Sequence, residues 1–109
     1  MDDQEFQRRA EASLEALKSS LMSAEDEIEM DVEEQGGAIH ISFDTPPGHF
    51  VISPNSAARQ IWISALSTSF KLDWSDPQND WVLAKTGERL KPLVARLIGD
   101  QTGEAVTLA

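Results

Sequence analysis

The chain has 109 residues, 40% of them hydrophobic, with 19 acids against 9 bases, a formal net charge of −10 and no cysteine. That composition fits one domain, excludes disulfides, thiolate metal sites and a cysteine nucleophile, and disfavours nucleic acid and anionic membrane surfaces as partners. No apolar run approaches the roughly 20 residues of a membrane span, and the N-terminus has neither a signal-peptide core nor an arginine-rich transit pattern, so the expectation is a soluble, cytoplasmic protein.

In chain order, Phe6, Ala10, Leu14, Leu17 and Leu21 mark one stripe of a helix predicted from Asp3 to Met22, with Asp2 as N-cap and Glu5 three residues on. Glu11 and Glu15 fall on a flank of that stripe with Lys18 and Met22. The run Glu27-Ile28-Glu29-Met30-Asp31-Val32-Glu33 alternates acid with apolar, the period of a half-buried strand whose acids face out. Gln35-Gly36-Gly37 supplies a turn and residues 38–43 alternate again, giving a hairpin. After the break at residues 44–48, short strands are predicted at 49–53, 60–65, 69–74 and 81–84. Leu90, Leu93, Val94, Leu97 and Ile98 then restore the helical period, with Pro92 tolerated only in the first turn and Gly103 as the latest end. The pattern implies a single α+β domain over residues 1–109. It is a two-layer α-β sandwich in which N- and C-terminal helices cover one face of an antiparallel sheet of about six strands.

Charge is unevenly spread: residues 1–34 hold twelve acids and three bases, residues 35–109 seven acids and six bases. Such polarity draws cations or basic protein patches toward one region, although a merely solvated acidic face has the same composition. Same-face strand neighbours stand about 6.6 Å apart, whereas oxygens sharing a hard cation lie about 2.0–2.6 Å from it. The strand acids Glu27, Glu29, Asp31 and Glu33 therefore need help from Glu11 and Glu15, from the loop acids Glu25 and Asp26, or from water. Shallow, labile sites for Fe²⁺, Mn²⁺ or Ca²⁺ are expected. Trp62 is predicted on the uncovered face beside Gln60 and Ser64, where a large aromatic suggests a partner site, with Asn55 and Arg59 as polar rim. Trp74 and Trp81 read as core or core edge. His40 and His49 read as surface residues, and no nucleophile elbow or phosphate-cradling loop is present, so no catalytic residue is assigned and no enzymatic activity is expected.

The stretch Val51-Ile52-Ser53-Pro54-Asn55-Ser56-Ala57-Ala58-Arg59-Gln60-Ile61-Trp62-Ile63-Ser64 resembles the signature of the frataxin family. The likeness extends to Phe6, Gly36-Gly37, Asp73-Trp74, Trp81 and Gly87-Glu88. It implies an α-β sandwich that binds iron weakly along an acidic ridge and contacts the cysteine desulfurase and scaffold complex of iron–sulfur cluster assembly, as donor or regulator. A monomer is expected, with metal-driven oligomers left open, and residence in the mitochondrial matrix applies if the chain is a processed eukaryotic protein. By position, Glu25, Glu29, Asp31 and Glu33 match family acids, and Asn55, Gln60 and Trp62 match partner-contacting positions. One departure stands out: where bacterial members are acidic near the end of the first helix, this chain has Lys18, Ser19, Met22 and Ser23.

Overall fold

The computed structural model describes residues 1–108. Helix α1 (Asp3–Ala24) is followed by seven strands: β1 (Asp31–Gln35), β2 (Ala38–Asp44), β3 (Pro47–Asn55), β4 (Gln60–Ala65), β5 (Thr68–Ser75), β6 (Asp80–Leu83) and β7 (Glu88–Arg89). Helix α2 (Leu90–Thr102) closes the order. The strands lie in the sheet in chain order, each antiparallel to the next. The buried faces of both helices and the inward side chains of the sheet form one cluster, which makes the two-layer sandwich expected from the sequence.

Helix α1 starts where predicted, because the Asp2 carboxylate accepts the Glu5 N–H at 2.8 Å. It runs two residues past Met22 because Ala24 continues the buried stripe three residues beyond Leu21. The backbone then turns, with the N–H groups of Glu27 and Ile28 donating to the Ala24 carbonyl at 3.0 and 2.9 Å. This turn corrects the expected strand over residues 27–33: Glu27 and Glu29 precede β1, which begins only at Asp31. Two causes act together. The turn that follows α1 occupies residues 25–28, and the hairpin register, which pairs Asp31 with Ser42, would set Glu29 directly opposite Asp44 as a like-charge pair. Ile28 and Met30 are nevertheless buried, so the alternation reported burial correctly without reporting strand pairing.

The hairpin turn at Gly36 and Gly37 has positive φ at both positions (60° and 84°), the two-residue geometry that fixes the β1–β2 register. A seventh strand appears in place of about six, because β7 is only two residues long and carries no periodic signal. Strand ends otherwise differ from expectation by one or two residues. Helix α2 begins at Leu90, placing Pro92 in its first turn, and ends at a left-handed Gly103 whose N–H donates to the Gly99 carbonyl at 2.8 Å.

Trp81 lies at the centre of the core edge-on to Phe6 and Trp74, at 5.7 and 5.4 Å between ring centroids, and its indole N–H donates to Ser13 Oγ at 3.0 Å. Trp74 is half-buried at the core margin, with the Arg9 guanidinium 4.3 Å from its ring centroid. Beneath α2, Arg96 Nε and Nη2 donate to the two Glu88 carboxylate oxygens at 2.6 and 3.0 Å, fastening β7 to the helix. The hydrogen bond from Arg96 holds the Glu88 carboxyl below its ordinary value.

Replacing the fully buried Leu17 by Ala should lower unfolding free energy by about 2–5 kcal/mol in urea titrations, whereas Met22→Ala on the exposed flank should change it by less than about 0.5 kcal/mol. Because the Glu88 carboxyl is lowered in the folded state, its contribution is present above the usual carboxylate range and lost as pH falls through the folded value. Glu88→Gln should therefore reduce stability at pH 7 by no more than about 1 kcal/mol, and the gap to wild type should close in acid melts.

Candidate functional site

Two surfaces carry the residues singled out by the sequence. The first is an acidic edge where α1 passes into β1. Glu25 caps the helix end, and its carboxylate accepts the Val32 N–H at 3.3 Å, so it helps to seat the start of β1. Glu25, Glu29 and Asp31 border one shallow depression together with Ser42 and Asp44. Glu27 borders a different one beside Ser19, Ser23 and Thr107. Glu11 and Glu15 line a third with Arg8 and Glu34, and Lys18 Nζ lies 3.3 Å from Glu34 Oε1. Asp26 is exposed in the turn, and Glu33 lies on β1 directly across from His40.

The eight predicted metal-ligating acids thus divide among separate places rather than forming one ring. Among the described residues, no three His, Asp or Glu side chains converge closely enough to hold a single ion. Carboxylates so separated would act on divalent cations only through their field and one or two at a time, with water completing the coordination. Asp44 was missing from the sequence-based set. Extending the Gly36-Gly37 hairpin register backward would have placed it beside the Glu29 and Asp31 acids.

The acids also sit where the backbone field is unfavourable. The last turn of α1 contains no base, and Glu25, Asp26 and Glu27 follow directly at the negative end of the helix dipole. Ion pairs fall elsewhere: Arg9 with Glu5, Lys18 with Glu34, Arg59 with Asp3, and Arg96 with Glu88 and Asp100. None of these pairs draws on residues 25–33.

The second surface is the sheet face that no helix covers. Trp62 on β4 stands between Ser53 of β3 and Lys71 of β5. Its indole N–H donates to Gln60 Oε1 at 2.8 Å, Gln60 Nε2 donates to Asp73 Oδ1 at 3.0 Å, and the Lys71 ammonium lies 4.8 Å from the Trp62 ring centroid. The ring is half-buried and held in a fixed orientation, a rigid apolar plate within a polar surround. Asn55 caps the β3–β4 turn, its Oδ1 accepting the Ala58 N–H at 2.9 Å. Arg59 departs from the expected rim: at φ 53° it reaches to the start of α1, where Nη2 meets Asp3 Oδ1 at 2.9 Å.

A two-layer sandwich with both helices on one sheet face, an open tryptophan-bearing face and an acidic edge is the architecture of the frataxin-like class. The frataxin-like domain family matches residues 1–104, and the chain belongs to the frataxin family, of the bacterial CyaY type. The iron-sulfur cluster assembly protein CyaY of Stutzerimonas stutzeri strain A1501 is 33% identical over 79 residues, 72% of this chain and 71% of that protein. The protein of the same name from Janthinobacterium sp. strain Marseille is 26% identical over 110 residues, 99% of this chain and 96% of its own. The solved frataxin of Psychromonas ingrahamii superimposes with a TM-score of 0.85 at 17% identity, covering 100% of this chain and 99% of the other.

If the acids of residues 25–33 repel one another and the helix dipole, raising ionic strength from 0.01 to 0.15 M, which shortens the screening length from about 30 to about 8 Å, should raise the melting temperature by at least about 2 °C. A variant with Glu27→Gln and Glu29→Gln should show a smaller rise, measured by circular dichroism at constant pH.

Proposed function

We propose that this chain serves iron–sulfur cluster assembly as a non-enzymatic accessory protein, holding iron weakly at the acidic edge and docking on a cysteine desulfurase–scaffold complex through the open sheet face. The observation that carries the docking half is Trp62. A large aromatic ring, fixed by Gln60 and flanked by Lys71 on an uncovered sheet, has the anchor-and-rim composition of an interface hot spot. Relatives named iron-sulfur cluster assembly protein CyaY support the pathway assignment.

For the iron half, the support is chemical. Carboxylate oxygens suit Fe²⁺ as they suit other hard and borderline ions, and the Glu25, Glu29, Asp31 and Asp44 depression is open to water. Iron held by one or two carboxylates exchanges readily, which suits a donor or a sensor of supply better than a resident cofactor. Iron oxidation at a rate above that in solution would call for a preorganised cage, and no such activity is proposed; among the described residues the acids stand in separate places. That same separation favours a second reading, an acidic interaction module for which metal has no physiological part.

An anaerobic thermal melt with Fe²⁺, beside Mg²⁺ at matched ionic strength, should give a larger upward shift with Fe²⁺ that disappears in the Glu29→Gln/Asp31→Asn/Glu33→Gln variant. Equal shifts with both ions would favour the second reading. Trp62→Ala, with its fold verified by circular dichroism, should weaken binding to the desulfurase–scaffold complex by about 2 kcal/mol, roughly thirtyfold. Unchanged affinity would remove Trp62 from the docking surface.

A further inference from the structure

Two histidines that neither surface absorbs stand together on the open face. His40 on β2 pairs in register with Val51, and His49 on β3 pairs with Ser42, so the two are diagonal neighbours across the β2–β3 ladder. Their ring centroids are 5.3 Å apart with planes tilted by 48°. His40 Nδ1 lies 3.1 Å from His49 Nε2, and the other ring nitrogen of His49 lies 3.2 Å from Ser42 Oγ. On the adjoining edge strand, Glu33 sits across from His40 and Asp31 across from Ser42.

We infer that His40 and His49 form a two-imidazole chelate for a divalent transition ion of borderline softness, such as Cu²⁺, Ni²⁺ or Zn²⁺, on the open sheet face. Metal–imidazole bonds are about 2.0–2.1 Å, so two nitrogens bound side by side at about 90° to 109° are separated by about 2.8–3.4 Å. The 3.1 Å spacing of His40 Nδ1 and His49 Nε2 falls within that range. The two nitrogens stand at hydrogen-bonding distance, and rotation of these surface rings would aim both lone pairs at one point on the solvent side.

Proton accounting closes. In the free chain one ring donates an N–H to the other. In the bound form each neutral ring keeps one N–H away from the ion, on Nε2 of His40 and on Nδ1 of His49. Only one ring changes tautomer, and no proton is released. Ser42 Oγ then accepts the His49 Nδ1–H, the outer-shell contact that orients a metal-bound imidazole. The Asp31 and Glu33 carboxylates raise the local cation concentration from the adjoining strand, and water fills the remaining coordination positions. Imidazole donors separate this site in preference from the acidic edge: nitrogen favours Cu²⁺, Ni²⁺ and Zn²⁺, whereas carboxylates alone also accept Mg²⁺ and Ca²⁺. The inference goes beyond the iron reading and stands or falls without it.

The test is Cu²⁺ binding to the full chain in excess Mg²⁺, read by electron paramagnetic resonance, with Zn²⁺ titrated calorimetrically. Two coordinated imidazole nitrogens are expected in the wild-type spectrum. His40→Gln and His49→Gln should each reduce the count by one and weaken Zn²⁺ binding by at least about tenfold, and Ser42→Ala should weaken it by about tenfold or less. The Glu29→Gln/Asp31→Asn/Glu33→Gln variant should retain both nitrogens. A wild-type spectrum with fewer than two imidazoles would overturn the assignment whatever the variants do. So would binding unaffected by either histidine variant, as from the terminal amine, or nitrogen ligation abolished by the acid variant alone.

Discussion

One sheet face is buried by two helices drawn from opposite ends of the chain, and the other features depend on that burial. Leu17 and Leu21 of α1, Leu93 and Val94 of α2, and Ile41, Ile52, Ile61 and Leu72 of the sheet are all essentially inaccessible and belong to one cluster. Both helices draw most of their stability from packing an apolar stripe against the sheet rather than from intrinsic propensity, and the 13-residue α2 would be marginal alone. Trp81 joins the layers most directly, with Phe6 against its ring and its N–H on Ser13 of α1. Since no charged or polar residue is classed as buried among those described, the core is set by shape and apolar area rather than by a polar network.

Covering one face leaves the other to be defined by pleat alone. Every residue out of phase with the core, including Glu33, His40, Ser42, His49, Ser53, Trp62 and Lys71, must project from the open face. The meander order then determines which of them become neighbours: acids along β1, histidines across β2 and β3, the tryptophan between β3 and β5. Strand β1 is also a sheet edge with open hydrogen-bonding groups, and acids there discourage another strand from pairing with it. The same residues therefore guard the edge against pairing and give it a negative field.

Most of this architecture was legible in the sequence because two periods, 3.6 and 2, record which side of an element is buried. The stripe from Phe6 to Leu21, the alternation from Ala38 to Phe43, and Trp62 between Ile61 and Ile63 all yield to that argument. What it misses is pairing. The alternation from Glu27 to Val32 runs through the turn after α1 and the two residues before β1, because a segment entering a sandwich can bury every second side chain without any strand beside it. Asp44 joined the acidic edge through the hairpin register, and His40 met His49 through a diagonal that depends on the β2–β3 turn. Arg59 turned to Asp3, 56 residues away in the chain, a contact that no local pattern encodes.

The acids near the end of α1 occupy a position that stability alone would not select. A carboxylate beside the negative end of a helix costs roughly 0.3–1 kcal/mol, and a base there would gain a similar amount. The chain instead places Glu25, Asp26 and Glu27 at that end while keeping Asp3 and Glu5 at the favourable start. Glu25 recovers part of the loss through the Val32 N–H, but Asp26 and Glu27 stand exposed in the turn. A divalent cation near these groups would relieve helix dipole and side-chain repulsion at once, so its binding there would draw in part on removing an unfavourable term already present in the free protein. That kind of attraction needs no convergent cage and imposes little geometric selectivity. Discrimination among metals must then come from donor chemistry, and it is on the histidine-bearing strands rather than at the acidic edge that the donors change from oxygen to nitrogen.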